Sequence, residues 1–212
     1  SCGEKTNRDV GRGLAADIDA KYPGFECWST ANGNVYDCKG NVISSKRPSV
    51  NFRIYWDGDL QDELLDGNKL DKWNGNGTTR LFSVYDVEAA SSCNSTKATP
   101  CLSADIFGDW REEMIFWNGN DPSKITIFTT TIPTEYRLFT LMHDPVYRMG
   151  VAWQNTAYNQ PPHLGFYIGD GLDNVKQPDI YVVENGSVVV GEPTLTKQGA
   201  GSSSQAVEPG VA

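Results

Sequence analysis

Apolar and polar residues alternate along this chain in short runs. Val50-Asn-Phe-Arg-Ile-Tyr-Trp56 has a period of two, as does Lys124-Ile-Thr-Ile-Phe-Thr-Thr-Thr131, which is the pattern of half-buried strands. Glu113-Met-Ile-Phe-Trp117 predicts a buried strand, and Asn34 to Asp37 and Val42-Ile43 predict two more. Tyr181-Val-Val183 and Ser187-Val-Val-Val190 flank Asn185-Gly186, the strongest hairpin signal in the sequence. Clear helical periodicity is absent. The nearest candidate is Thr134 to His143, short and interrupted by Pro145. The chain reads as nearly all β.

An acidic turn recurs ahead of a run led by glutamate. Asp17-Ile-Asp19 leads to Glu26, Asp57-Gly-Asp59 to Glu63, and Asp105-Ile-Phe-Gly-Asp109 to Glu113. Repeats of about 40 to 50 residues with short strands are the spacing of β-propeller blades, so residues 1–190 predict about four antiparallel blades. Alternate carboxylates on a tight turn aim at one centre, which suits a hard cation with oxygen ligands. Calcium is therefore expected at Asp17, Asp19 and Glu26, at Asp57, Asp59 and Glu63, and at Asp105, Asp109 and Glu113. Gly58 and Gly108 are expected to supply the positive φ of the second and third turns. The tryptophans Trp56, Trp73, Trp110, Trp117 and Trp153 are expected in the core.

Composition narrows the choice. The 212 residues carry a net charge of −9, which argues against nucleic acid as a partner, and no apolar run reaches the length of a membrane span. An acidic ligand is compatible with this charge, because calcium bridges carboxylates. Five cysteines are present. Cys93 and Cys101 close a short polar loop around Lys97, and Cys27 and Cys38 flank a hairpin at Asn32-Gly-Asn34, so two disulfides are expected in an oxidising compartment, with Cys2 left over. Residues 191–212, with Gln198-Gly-Ala-Gly-Ser-Ser-Ser-Gln205, read as a flexible tail.

Gly11-Arg-Gly-Leu-Ala-Ala-Asp-Ile-Asp19, Trp56-Asp-Gly-Asp-Leu60, Thr96-Lys-Ala-Thr-Pro-Cys-Leu102, Gly108-Asp-Trp-Arg-Glu-Glu113, Leu141-Met-His-Asp-Pro-Val-Tyr-Arg148 and Tyr158-Asn-Gln-Pro-Pro-His163 carry a family resemblance. They resemble rhamnogalacturonan lyases of polysaccharide lyase family eleven, over about residues 9 to 170. The resemblance implies a secreted, calcium-dependent, eight-bladed propeller that cuts the galacturonate–rhamnose backbone of pectin by β-elimination. Family catalytic domains are far longer, so the chain is expected to match only their last blades and to need the earlier ones. A calcium-stabilised module that binds polysaccharide without cleaving it is the alternative.

β-Elimination on a uronate needs a neutralised C6 carboxylate, a base for the C5 proton and help for the leaving oxygen. Lys97 is the best cationic candidate, and Arg12, between two glycines, resembles an active-site arginine of the family. Asn94, Ser95 and Thr96 match the family's substrate-contacting loop, in which glycine commonly stands at the position of Ser95. Tyr158 is placed to stack on a sugar ring, with Asn155 as a further substrate contact. His143 reads as a structural residue in a turn.

Overall fold

The computed structural model describes residues 7, 9–87, 89–154, 156, 159–172, 175 and 180–191. Cys2, Asn155, Tyr158 and the tail from 192 lie outside the described residues.

The first sheet holds β1 (Gly13–Ala16), β2 (Glu26–Ser29), β3 (Val35–Tyr36) and β4 (Val42–Ser44), paired in chain order. The second repeats this meander with β5 (Phe52–Ile54), β6 (Glu63–Asp66), β7 (Lys69–Trp73) and β8 (Thr78–Ser83). In the third, β9 (Ala90–Ser91) and β10 (Leu102–Ala104) share one edge of β11 (Glu113–Asn118), and β12 (Ile125–Phe128) takes the other. Every pairing is antiparallel. The fold is all-β, in antiparallel sheets, with few helices. The hairpin of β13 (Ile180–Glu184) and β14 (Ser187–Gly191) closes where expected, with Asn185 and Gly186 both at positive φ.

Successive residues of a strand face opposite sides of its sheet, and the second sheet uses both faces. Leu64 and Trp73 join Leu14, Ala16, Trp28 and Val35 of the first sheet in one core. Leu65 and Leu70 join Phe52, Met114 and Phe116 in another, shared with the third sheet. A third core packs Trp110 and Tyr55 against Phe139, Leu141, Tyr147 and Ile168. Most of the expected core tryptophans are buried, but Trp153 is 62% exposed, at the end of a helix where its ring leaves the packed face.

That helix, α1 (Pro145–Trp153), is the clearest departure from expectation. Pro145 starts it rather than breaking one, because the first helical position needs no backbone N–H. Asp144 caps it, accepting from Val146 N at 3.0 Å. The segment Thr134 to Thr140 is not helical, and Leu141–His143 forms a single 3₁₀ turn.

Two further expectations change. Gly108 has positive φ but Gly58 does not. Gly58 is required for another reason: a Cβ there would lie 2.5 Å from Pro133 O. No bridge joins Cys27 to Cys38. β2–β3 pairing sets Cys27 opposite Tyr36, and the exposed Cys38 thiol donates to Pro23 O at 3.2 Å.

Candidate functional site

Two sets of groups lie at opposite ends of β1 and β10. Arg12 and the Lys97 loop precede β1 and β10. The acidic turns follow β1, β5 and β10.

The Lys97 loop is tightly made. Cys93 and Thr99 exchange backbone hydrogen bonds of 2.8 and 3.2 Å, and Ser95–Lys97 forms a 3₁₀ turn between them. Asn94 Nδ2 donates to Thr99 Oγ1 at 2.8 Å. Asn94 and Ser95 both have positive φ, 61° and 50°. Asn94, Ser95 and Thr96 are exposed and Lys97 is half-buried, so the turn presents its polar side chains outward.

Two contacts hold this loop to the rest of the chain. Gly67 N donates to Ala98 O at 3.2 Å. Asn159 Nδ2 donates to Pro100 O at 2.9 Å. Asn159 also accepts Arg12 Nη2 at its carbonyl at 2.8 Å, so one buried asparagine joins Arg12 to the lysine loop. Arg12 Nη1 reaches Asn51 O at 3.2 Å and Asn51 Oδ1 at 3.0 Å, and Asn51 in turn donates to Asp66. The fold therefore gathers Arg12 and Lys97 in one region. At 9% exposure the Arg12 guanidinium is turned inward and donates to three oxygens of the protein, one of them on the asparagine that holds the loop. Asn159 lies within a stretch that carries the family resemblance, but nothing local sets it or Asn51 apart from turn asparagines, and neither was expected at the site.

At the other ends of the strands, the repeated glutamate has one constant task. Its Oε2 accepts two successive backbone N–H groups of the turn: Ile18 and Asp19 for Glu26, Trp56 and Asp57 for Glu63, Ile106 and Phe107 for Glu113, all at 2.8 to 3.1 Å. Its Oε1 differs in each copy. Glu113 Oε1 accepts Thr129 Oγ1 at 3.0 Å. Glu63 Oε1 accepts Lys72 Nζ at 2.7 Å. Glu26 Oε1 is buried with no partner among the described residues.

Among the described residues, only Asp57, Asp59 and Glu63 each bring a ligand atom within 4.8 Å of the others, a grouping that could hold a metal. Lys72 Nζ lies among them, 2.5 Å from Asp57 Oδ2 and 2.7 Å from Asp59 Oδ2. Burial opposes the Lys72 charge, but the three carboxylates outweigh burial and raise its affinity for a proton. The other two expected sets do not converge. Asp17 turns to the Tyr167 hydroxyl, Asp105 accepts from Gly108 N and Leu141 N, and Asp109 pairs with Arg111. Burial pushes Asp17 up to about 6 and Glu26 up to about 7, and for Glu26 the charges of Asp17 and Asp19 add to the effect.

Removing the Lys72 ammonium should leave three crowded carboxylates. Lys72→Gln is expected to lower Tm by a few degrees in chelator and to make Tm rise with millimolar calcium at that turn. A calorimetric titration of wild type and variant checks this, and equal calcium responses would sink it.

Asp62 and Glu112, just before the repeated glutamates of the second and third sheets, were not anticipated. Asp62 Oδ2 accepts Asp17 N, and Asp62 N donates to Asp17 O, at 2.9 and 2.7 Å. Glu112 makes the same exchange with Tyr55, at 2.9 and 2.8 Å. Each is a staple from one sheet to the preceding one. Arg53 sits between them, 3.3 Å from Asp62 and 3.1 Å from Glu112. A pocket of about 530 Å³, lined by Arg111, Tyr136 and Arg137, also lies at this end, and of the expected site residues only Asp109 touches it.

Residues 2–178 match the model of rhamnogalacturonan lyase family 11, C-terminal domain. The chain is 55% identical over 181 residues to rhamnogalacturonan endolyase YesW of Bacillus subtilis (strain 168), covering 84% of this chain and 28% of that protein. It is 46% identical over 197 residues to rhamnogalacturonan exolyase YesX of the same organism, covering 85% and 32%. The solved structure of Bacillus licheniformis rhamnogalacturonan lyase PL11 superposes with a TM-score of 0.79 at 52% identity, over 85% of this chain and 30% of that one. The chain thus spans about a third of the length of the relatives it matches.

Proposed function

Since this chain belongs to rhamnogalacturonan lyase family 11, we propose that it is the part of a secreted rhamnogalacturonan lyase that carries the Lys97 loop to the substrate. The observation that carries this reading is the path from Arg12 through Asn159 to Pro100, which draws residues from the two ends of the chain onto one polar, outward-facing turn. Such a turn suits a polyhydroxylated, anionic polymer better than an apolar ligand.

In β-elimination the C5 proton goes to a base, its electron pair forms the C4–C5 double bond, and the C4–O bond breaks. In this reading Lys97 Nζ takes that proton or faces the carbanion-like intermediate. Asn94, Ser95 and Thr96 supply amide and hydroxyl groups for the sugar hydroxyls, and Tyr158 and Asn155 are further substrate contacts in this reading. Arg12 positions the loop from beneath. The arc of three sheets is part of a β-propeller whose remaining blades come from the longer protein, and the pectic backbone lies across its centre. The assay is the ultraviolet absorbance of unsaturated uronate ends released from rhamnogalacturonan by the full-length protein. Release of saturated ends alone, as hydrolysis gives, would overturn it.

Calcium enters this reading at the second turn, where Asp57, Asp59 and Glu63 bring ligand atoms within 4.8 Å of one another, a donor set that fits a hard cation. Those three carboxylates would hold the ion in place of the Lys72 ammonium. The acidic turns lie across the strand from Lys97, so ions there stabilise the fold. At the substrate, calcium would neutralise the C6 carboxylate.

A pH dependence follows. Glu26 and Asp17 take up protons in the native fold at pH values where the unfolded chain has released them. Their contribution to stability is therefore full below about pH 4 and is lost as pH rises through about 6 to 7. In excess chelator, Tm should be higher at pH 5 than at pH 8. Glu26→Gln should shrink that difference. A chelated protein that is no less stable at pH 8 than at pH 5 would contradict this account.

A further inference from the structure

Cys93 and Cys101, the other expected pair, are also unbridged, but they lie at the two ends of the Lys97 loop with their sulfurs 3.1 Å apart, within reach of a bond after a small rotation. The loop between them contains a conformational problem. Asn94 and Ser95, two consecutive residues with side chains, both occupy the left-handed region. That region disfavours residues with a Cβ and persists only where the surroundings over-determine it. Here they consist of the paired backbone bonds of Cys93 with Thr99, the Asn94–Thr99 side-chain bond and the hold of Cys101 N on Ile115 O at 2.8 Å. The strained turn is the one that presents Asn94 to Lys97. Whatever fixes its ends fixes those side chains.

We propose that Cys93 and Cys101 form a disulfide that holds the Asn94–Ser95 turn in its left-handed conformation, making them positioning residues for Lys97. This rests on the reading of the Lys97 loop as the substrate-facing turn. Both thiols lose their hydrogens, one S–S bond forms, and two electrons and two protons pass to a small disulfide oxidant, which becomes two thiols. Burial and the neighbouring thiol push Cys93 up to about 12, so its thiolate is scarce in the folded loop and the bridge is set while the chain folds. Reduction leaves a loop whose ends are still paired by backbone bonds, so the fold persists and the left-handed turn stays accessible, but without its covalent brace it also samples right-handed or extended conformers.

The test uses the full-length protein refolded with oxidised glutathione. Alkylation under denaturing conditions followed by peptide mass analysis should find Cys93 and Cys101 joined. Reduction by a phosphine should lower kcat/KM on rhamnogalacturonan roughly tenfold, the order expected when a left-handed residue loses its support. The Cys93→Ser/Cys101→Ser variant should match the reduced enzyme and ignore the phosphine. Adding Ser95→Gly to that variant should recover most of the loss, because glycine adopts the left-handed region without a Cβ penalty. A bridge that merely stabilised the fold would give the opposite result, since added glycine would loosen the loop further. Two alkylated thiols after refolding, or unchanged kcat/KM on reduction, would overturn the proposal. Inactivity in every redox state would instead count against the lyase reading, and the peptide analysis would still decide whether the bridge exists.

Discussion

Replacing Arg53 with methionine should destabilise the fold by about 3–5 kcal/mol, on the order of 10 °C in Tm. Arg53, Asp62 and Glu112 have side chains no more than 2% exposed, so their charges are balanced by one another and not by water. The guanidinium also lies 4.8 Å over the Tyr55 ring, and Tyr147 donates its hydroxyl to Glu112 Oε1 at 2.7 Å. Taking away the single cation leaves two buried acids, each of which must then be ionised without a partner or take up a proton. Burial already pushes Asp62 up to about 7 against the pull of Arg53. Without Arg53, the native state should bind protons more tightly still, so the loss should be smaller at pH 5 than at pH 8. Adding Asp62→Asn and Glu112→Gln to the methionine variant should recover part of the stability, because neutral amides carry no unpaired charge. Thermal unfolding of the three proteins at both pH values is the measurement. An Arg53→Met protein within about 1 kcal/mol of wild type, the range of an exposed pair, would mean that the triad is not the inter-sheet lock described here.

Lys97→Ala should lower the rate on rhamnogalacturonan by on the order of 10²- to 10⁴-fold, the usual worth of a proton-transfer or electrostatic group. Tm should barely change, because this half-buried loop side chain contributes to none of the three cores. Lys97→Arg should not restore the rate. Arginine keeps the charge but is not deprotonated near neutral pH, and its planar fork projects differently. Asn94→Ala should weaken substrate binding more than it slows the chemical step, since it removes hydrogen bonds and not the reacting group. Initial rates of the three variants at fixed calcium separate these outcomes. If Lys97→Ala keeps more than about a tenth of the wild-type rate, the loop binds substrate and the proton acceptor is another residue.

The local parts of this molecule were readable from its residues. Asn185-Gly186 specifies a two-residue turn through its own backbone preferences. The acidic turns announce themselves because aspartate oxygens accept from N–H groups two or three residues away, as Asp57 does from Asp59 N and Asp109 from Arg111 N. Period-two runs located β5 and β12, and a continuous apolar run located β11, each to within a few residues. Pro145 misled, because one proline at the first position of a helix and another in its interior look alike until the cap is known.

What closes each acidic turn was decided by tertiary structure. The three turns share an Asp-rich loop and a following glutamate, yet the free oxygen of one glutamate meets a lysine, that of another a threonine, and that of the third no partner among the described residues. Those partners, Lys72 and Thr129, arrive on or just beyond the neighbouring strand, where sheet register chooses them and no spacing rule points to them. Arg53, Asp62 and Glu112 are further still from legibility, since each is an ordinary charged residue in sequence. They become a lock only because neighbouring sheets stack closely enough to exclude water, where a charge must find its counterpart. Arg12 shows the same limit from the other side. Its glycines marked a backbone able to approach a ligand, but the carbonyls of Asn51 and Asn159, 39 and 147 residues away, turned its guanidinium inward. Local hydrogen-bond geometry is written in neighbouring residues, whereas the partner of a buried charge depends on which surfaces the whole fold brings together.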